Sequence, residues 1–150
     1  MGLDMYVNAK KYRYQFKDVP EGVDVLGVIL GSGFHPSRIS CVTEEAIYWR
    51  KANQIHKWFV DNVQDGSDDC GNYPITREHL QRLLALIKQV LADRNEDVAS
   101  ELLPTGEGFF FGSSDYDEYY WQQLEFTEKA IEQVLIDYDD SWSLEYSSSW

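Results

Sequence analysis

Trp49, Arg50, Asn53, His56 and Lys57 form the densest group of chemically versatile side chains in the sequence. On a helix, Trp49, Asn53 and His56 would share one face, with the two cations flanking it. The group combines an aromatic ring, an amide, a titratable imidazole and two permanent positive charges. It suits an anionic, base-containing small molecule, because the indole can stack a base while the cations meet phosphate or carboxylate. The alternative is that Trp49 and His56 belong to the core and the cations are solvated.

A second candidate site lies ahead of the last predicted helix. Ser113 and Ser114 would present hydroxyls and backbone N–H groups to an anion at the helix N-terminus. Tyr116 and Tyr120 would add aromatic walls with hydroxyl tips. Three acidic residues at the same helix end would repel a phosphate: Asp115, Asp117 and Glu118. An aromatic core segment followed by an acid-capped helix is the alternative.

The polar loop over residues 64–73 contains side chains that could bind a metal ion. Three carboxylates and a glycine fall between Asp65 and Asp69, and oxygen ligands suit calcium or magnesium. The spacing does not match an EF-hand loop, and aspartate and glycine are also the residues that form tight turns. The three histidines and two cysteines are too dispersed for a zinc motif. No metal site and no cofactor are therefore predicted.

Cysteine chemistry offers a further possibility. Cys70 with His56 could form a nucleophile–base pair if the loop folded back onto the preceding helix. No signature of a hydrolase, metalloprotease or dithiol motif surrounds either residue. A small packed residue is the simpler interpretation of Cys70, so no catalytic residue is predicted.

Alternating hydrophobic residues predict strands in several places. Leu3, Met5 and Val7 alternate with polar residues, and the period of two continues through Tyr12, Tyr14 and Phe16. The remaining predictions are a turn at Pro20–Gly22, a returning strand at Val23–Leu30, a short strand at Arg38–Val42 and an edge strand at Phe109–Phe111.

Four helices are predicted from spacing and capping residues. The first begins at Thr43 as N-cap and runs to about Val63. The second opens at Pro74 and Thr76, a third covers Asn95–Leu103, and Ser114 caps the last. The hydrophobic stripe of the first helix is Tyr48, Ala52, Ile55, Phe59 and Val63. That of the second is Leu80, Leu83, Leu84, Ile87 and Leu91, and that of the last is Tyr120, Leu124, Thr127, Ile131 and Leu135.

The predicted fold class is α+β, with a small antiparallel sheet packed against three to four helices in a single domain. That domain covers residues 1–136, and residues 137–150 are predicted to form a flexible acidic tail rich in serine and aromatic residues. A chain of 150 residues has the size of one domain, and 15% aromatic residues supply its core. The aromatic surplus and the Phe109–Phe111 edge also suggest a homodimer.

Charge and composition restrict the possible partners. The formal net charge is −13, and residues 61–150 alone contribute −15. Direct binding to a nucleic-acid backbone is therefore not expected, because phosphate contacts require a cationic face. No apolar run approaches the roughly 20 residues that a membrane helix needs, so no membrane partner is expected. Only Cys41 and Cys70 are present, which favours a reduced, cytoplasmic setting.

Four segments of the chain resemble a family of small phage and prophage proteins. They are MGLDMY at 1–6, YWRKANQIHKWFV at 48–60, QDGSDDCG at 64–71 and GFFFGSSDYDEYY at 108–120. The resemblance covers most of residues 1–135, and the acidic tail departs from it. Some members carry a phosphoglycerate kinase label, which does not fit here, because the chain is too short for a two-domain kinase and lacks a glycine-rich phosphate loop. The resemblance implies a phage accessory protein in the bacterial cytoplasm.

Phage accessory proteins often counter host defence, and three roles match the residues above. The first is a non-catalytic binder of a small anionic nucleotide-like ligand, which would sequester a host immune signal. The alternatives are an acidic inhibitor or DNA mimic that binds a host defence protein, and a metal- or Cys-dependent enzyme. The ligand-binding residues of the first hypothesis are Trp49, Arg50, Asn53, His56, Lys57, Ser113, Ser114, Tyr116 and Tyr120.

Overall fold

The computed structural model describes residues 2–12, 38–108 and 111–150, which form one α+β domain as predicted. The described part contains a four-stranded antiparallel sheet with the order β2–β1–β4–β3, together with four helices. The strands are β1 (Asp4–Tyr12), β2 (Cys41–Arg50), β3 (Asn72–Ile75) and β4 (Ser143–Ser149). The helices are α1 (Asn53–Asn62), α2 (Arg77–Asp93), α3 (Glu96–Leu102) and α4 (Glu118–Asp137).

The N-terminal alternation produces the predicted strand. Met5, Val7 and Ala9 of β1 are fully buried, as is Leu3 just before it, while the residues between them lie on the other face of the sheet. This buried row packs with the inner faces of the helices in one hydrophobic core. The turn at 20–22, the strand at 23–30 and the continuation through Tyr14 and Phe16 lie outside the described residues.

The prediction of a helix from Thr43 is wrong for its first half. Residues 41–50 form β2, which pairs antiparallel with β1 from Arg50 opposite Asp4 to Cys41 opposite Tyr12. Ile47 and Trp49 are buried and Tyr48 is exposed, a period of two that the helical interpretation overlooked. Lys51 adopts a left-handed φ of 57° directly after the strand, and α1 then begins after Ala52. Pairing with β1 therefore outweighs the weak helical spacing.

The later helices exist as predicted, but two of them begin later than expected: Pro74 belongs to β3, so α2 begins at Arg77, and α4 begins at Glu118. Thr76 caps α2 by accepting a hydrogen bond from the His79 backbone N–H, and Asn95 caps α3 in the same way. At the start of α4 the cap is Asp117, which accepts from the Tyr120 backbone N–H, and not the predicted Ser114. The buried stripes are those predicted, except that Leu84, Leu91 and Leu135 are only partly buried and Val90 and Val134 are buried as well.

The prediction of a flexible C-terminal tail does not hold for residues 143–149. These residues form β4, which lies inside the sheet and pairs antiparallel with both β1 and β3. Leu144, Tyr146 and Ser148 point into the core, while Glu145 and Ser147 occupy the opposite face. Serine and glutamate have low strand propensity, so the sequence signal for a strand was weak. Hydrogen bonds from the two neighbouring strands stabilise β4 in place of propensity.

The predicted edge strand at Phe109–Phe111 lies mostly outside the described residues. Phe111 itself is described and sits in a bend, not in a strand. None of the described helices is both long and apolar enough to cross a membrane.

The raised pKa values of three buried tyrosines predict that the folded protein loses stability in alkaline solution. Burial raises the pKa of Tyr120 and Tyr146, and burial together with the hydrogen bond to Glu44 raises the pKa of Tyr138 to about 12. Because the unfolded chain releases these protons near pH 10 and the folded chain holds them longer, stability is lost as pH rises above about 10. Urea unfolding measured from pH 8 to 11.5 should show this decline, and Tyr138→Phe should make it shallower. An unchanged slope in that variant would contradict the assignment.

Candidate functional site

A cleft with a cavity volume of about 370 Å³ opens between α1 and the segment that follows α3. One wall comes from α1 and the loop after it, and the other from residues 105–107 and Phe111. The lining residues are His56, Lys57, Val60, Asp61, Asp68, Thr105, Gly106, Glu107 and Phe111. Two of the residues predicted to bind a ligand, His56 and Lys57, therefore lie in the cleft.

Asn53 fixes the far wall of the cleft through its side-chain amide. Its Nδ2 donates to the carbonyls of Phe111 at 3.1 Å and Ser113 at 2.8 Å. Its Oδ1 accepts from the Gly106 backbone N–H at 3.0 Å. Since Asn53 is buried, these three bonds tie the first turn of α1 to both ends of the segment that forms the wall. Asn53 is thus a positioning residue whose polar atoms are already engaged.

His56 lies at the base of the cleft within a chain of buried hydrogen bonds. Its Nδ1 lies 2.7 Å from the Tyr146 hydroxyl, and its Nε2 lies 3.0 Å from Asp68 Oδ2. An ionised carboxylate only accepts, so Nε2 donates to Asp68, and in the neutral imidazole Nδ1 is then the acceptor for the Tyr146 hydroxyl. Asp68 Oδ1 accepts in turn from the indole N–H of Trp150 at 2.9 Å. This series of hydrogen bonds therefore joins β4, α1, the loop at 63–71 and Trp150.

Tyr146 is the buried end of this chain. Its ring stacks on Phe59 at a centroid distance of 3.9 Å, and no part of the residue is exposed. Burial raises the pKa of Tyr146 well above 10.0, so its hydroxyl keeps the proton that it donates to His56. Both ring nitrogens of His56 are thus occupied within the protein.

Trp49 and Tyr120 belong to the core, as the alternative interpretation of each segment held. Trp49 is 1% exposed, and its indole N–H donates to Thr127 Oγ1 at 2.9 Å. Tyr120 is 3% exposed, and its hydroxyl donates to the Leu103 carbonyl at 2.9 Å. Neither ring offers a face on which a ligand could stack.

The two predicted cations do not converge on one site. Lys57 lines the cleft and pairs with Asp61 one turn along α1, at 3.0 Å. Arg50 ends β2 and is exposed, and it is not among the residues that line the cleft. The sequence-based hypothesis placed both on one helix, whereas the change from strand to helix at Lys51 separates them.

Ser113, Ser114 and Tyr116 hold the segment before α4 in place. Ser113 Oγ accepts from the Asp115 backbone N–H, and the Ser114 carbonyl accepts from the Thr105 hydroxyl at 2.9 Å. The Tyr116 ring packs perpendicular to Tyr120, 4.9 Å away, and its hydroxyl accepts from the Thr105 backbone N–H. These residues support the cleft wall from behind and do not line the cavity.

The loop at residues 64–71 has the hydrogen bonding of a tight turn. Asp69 Oδ1 accepts from the Tyr73 hydroxyl at 2.8 Å and from the Gly71 backbone N–H at 2.9 Å, which lowers the pKa of Asp69. Cys70 is exposed with a φ of 56°, and both ring nitrogens of its proposed base, His56, have other partners. Within residues 2–12, 38–108 and 111–150, no cluster of three or more His, Cys, Asp or Glu side chains could hold a metal ion.

The sequence did not point to several residues that line the cleft or support its base. Asp68 was considered only as a metal ligand, Thr105 and Glu107 carried no motif, and Tyr146 and Trp150 fell in the presumed tail. The alternation of serine with aromatic residues near the C-terminus was the one available signal for β4. No protein-family model matches the chain, and neither a curated protein nor a solved structure shows significant similarity to it.

Proposed function

We propose that this protein binds a small molecule in the cleft between α1 and a wall formed by residues 105–107 and Phe111, without converting it chemically. The observation that carries the proposal is the preformed wall: Asn53 holds it by three hydrogen bonds to Gly106, Phe111 and Ser113. Ligand sites are characteristically concave, largely preformed and about 300–1,000 Å³ in volume, and the cleft falls within that range. It combines an aromatic ring, an aliphatic side chain and charged groups around one cavity.

The hydrogen bonding of His56 supports binding over catalysis. A general base needs a ring nitrogen within reach of the substrate, and both nitrogens of His56 are engaged by Tyr146 and Asp68. Tyr146 is fully buried and its raised pKa keeps it protonated, so it offers no nucleophile to the cleft. The imidazole thus serves as a rigid floor for the cleft.

The resemblance to small phage proteins supports a proposal for the biological role of this binding. A binder of this size in an infected bacterium would act by withdrawing its ligand from the host, and a host signalling molecule is the type of target that such a protein needs. A capacity to bind without turnover is sufficient for that role.

A second candidate function is an acidic surface that binds a basic host protein. Eight carboxylates lie between Asp93 and Glu118, all exposed, and none belongs to an ion pair among the described residues. The Arg94–Glu125 ion pair joins the C-terminal end of α2 to α4 there, and the hydrogen bond from Tyr120 to Leu103 joins the end of α3 to α4. Such a field would attract a cationic partner.

Filling the cleft is the direct test of the first function. Val60 is a partly buried lining residue on α1, so Val60→Phe should occupy the cavity while preserving the helix. We expect a small-molecule library to contain compounds that raise the melting temperature of the wild type by several degrees, because a ligand of the native state stabilises it by mass action. These shifts should vanish in Val60→Phe. They should persist in Gln89→Phe, which places the same side chain on an exposed position of α2.

Two results would go against this assignment. Shifts that persist in Val60→Phe would place the binding elsewhere on the protein. Failure of every compound, together with salt-sensitive co-elution of a basic protein, would favour the acidic surface. In that case neutralising Asp93, Glu96, Asp97 and Glu101 together should abolish co-elution.

A further inference from the structure

We infer that the ligand of the cleft is a small organic cation, such as an amine or a quaternary ammonium compound. This inference rests on the proposed binding function and reverses the charge of the ligand that the sequence suggested. It follows from the charges, the aromatic wall and the dispersion of the carboxylates around the cavity.

The charged residues that line the cleft are predominantly acidic. Asp61, Asp68 and Glu107 contribute three carboxylates, and Lys57 is the one lysine or arginine among the described lining residues. Lys57 is already paired with Asp61 at 3.0 Å, which offsets most of its field. A phosphate in this cavity would face a surplus of negative charge, whereas a cation would be attracted by it.

Glu107 is the carboxylate best placed to meet a ligand. It is exposed at the cleft wall, and no ion pair among the described residues involves it. Asp68, by contrast, uses one oxygen for His56 and the other for Trp150. An ammonium group can therefore approach Glu107 without breaking a contact within the protein, while Asp68 adds its charge from the base of the cleft.

Phe111 adds an aromatic ring to the lining of the cleft, beside the acidic groups. Its ring packs perpendicular to His56, with centroids 5.2 Å apart, and at 72° to Trp150, with centroids 6.2 Å apart. Contacts with two neighbouring rings restrict its orientation. The face of an aromatic ring attracts ammonium and guanidinium groups, most strongly where water is excluded.

The spacing of the carboxylates points to an organic cation and not to a metal ion. In the part of the chain that the structure describes, no three acidic, histidine or cysteine side chains come close enough to share one metal. An organic cation carries its donors on a carbon skeleton and can reach separated acceptors. The cavity of about 370 Å³ sets the size of that skeleton near the lower end for ligand sites.

Isothermal titration with compounds of defined charge tests this inference. Putrescine, spermidine, choline and arginine methyl ester represent cations, adenosine a neutral nucleoside, and ATP and cyclic AMP the anions. We expect at least one cation to bind the wild type and to lose its binding in Val60→Phe. Glu107→Gln should weaken that cation by about two- to fivefold, the effect of one exposed ion pair. Glu78→Gln is the matched control, since Glu78 is exposed on α2 outside the cleft, and it should change nothing.

The possible failures of the two proposals are distinguishable. Binding of an anion or of adenosine that is lost in Val60→Phe would overturn the inference and preserve the binding function. Cation binding that survives Val60→Phe and weakens equally in Glu107→Gln and Glu78→Gln would reveal a diffuse surface effect and overturn the inference. Failure of all compounds, with a library that also yields no shift, would overturn both.

Discussion

Tyr146→Ala is expected to lower the free energy of unfolding by about 3–5 kcal/mol, the range for removing a large buried aromatic side chain. Tyr146 is fully buried in an inner strand of the sheet, and its ring stacks on Phe59. The substitution leaves a cavity between β4 and α1 and also removes the hydrogen-bond donor to His56 Nδ1. Urea unfolding followed by tryptophan fluorescence measures the change.

Two further variants divide this effect into its parts. Tyr146→Phe keeps the ring and removes the hydroxyl, so it should cost about 1–2 kcal/mol, the penalty for leaving a buried polar atom without its partner. Ser147→Ala lies on the opposite face of the same strand and should change stability by less than about 0.5 kcal/mol. An equally small effect of Tyr146→Ala would mean that residues 143–149 do not form the inner strand, and the flexible tail would return as the better description.

Asn53→Ala is expected to destabilise the protein by about 2–3 kcal/mol, because it removes the partners of three backbone groups at once. The Gly106 N–H and the carbonyls of Phe111 and Ser113 would lose their partner and would have to form hydrogen bonds with water. The cleft wall should loosen, so the Gly106 amide should exchange with solvent faster even where the chain remains folded. Hydrogen exchange and urea unfolding together separate local from global effects.

Asn53→Asp distinguishes hydrogen bonding from simple occupancy of the space. A carboxylate has the same shape but cannot donate to the two carbonyls, and its charge would be buried, so it should destabilise at least as much as alanine. Asn62→Ala, at the other end of α1, is the control and should cost less than about 1 kcal/mol, because Asn62 bonds only to Trp58 and to an exposed arginine. A tolerated Asn53→Asp would show that the wall is held by other contacts.

The sequence contained enough information for the elements whose signals are local. The stripe of α2, its Thr76 cap and the Asn95 cap of α3 lie within a few residues of what they determine. Helical hydrogen bonds join residues four apart, so spacing and capping are sufficient to predict such elements. The alternation of Leu3, Met5 and Val7 was similarly sufficient for β1.

Strands that depend on distant partners could not be predicted in the same way. β2 has a hydrophobic spacing that fits a helix as well as a strand, and its pairing with β1 decided between them. β4 consists of four serines with one leucine, one glutamate and one tyrosine, and it is a strand because β1 and β3 hydrogen-bond it on both sides. The backbone hydrogen bonds of a strand join it to residues that can lie far away in sequence. The pattern within one segment therefore carries little information about which strand it pairs with.

The candidate site likewise combines features that the local sequence predicts with features that only the fold determines. The residue types alone singled out Asn53, His56 and Lys57 together, and all three contribute to the cleft or its wall. The sequence by itself determined that α1 would carry the polar groups. Only the tertiary structure decided what they do, by bringing Asp68, Glu107, Phe111 and the C-terminal strand against that helix. The physical reason is that the charge and shape of a cavity are sums over side chains that the fold, and not the sequence order, makes neighbours.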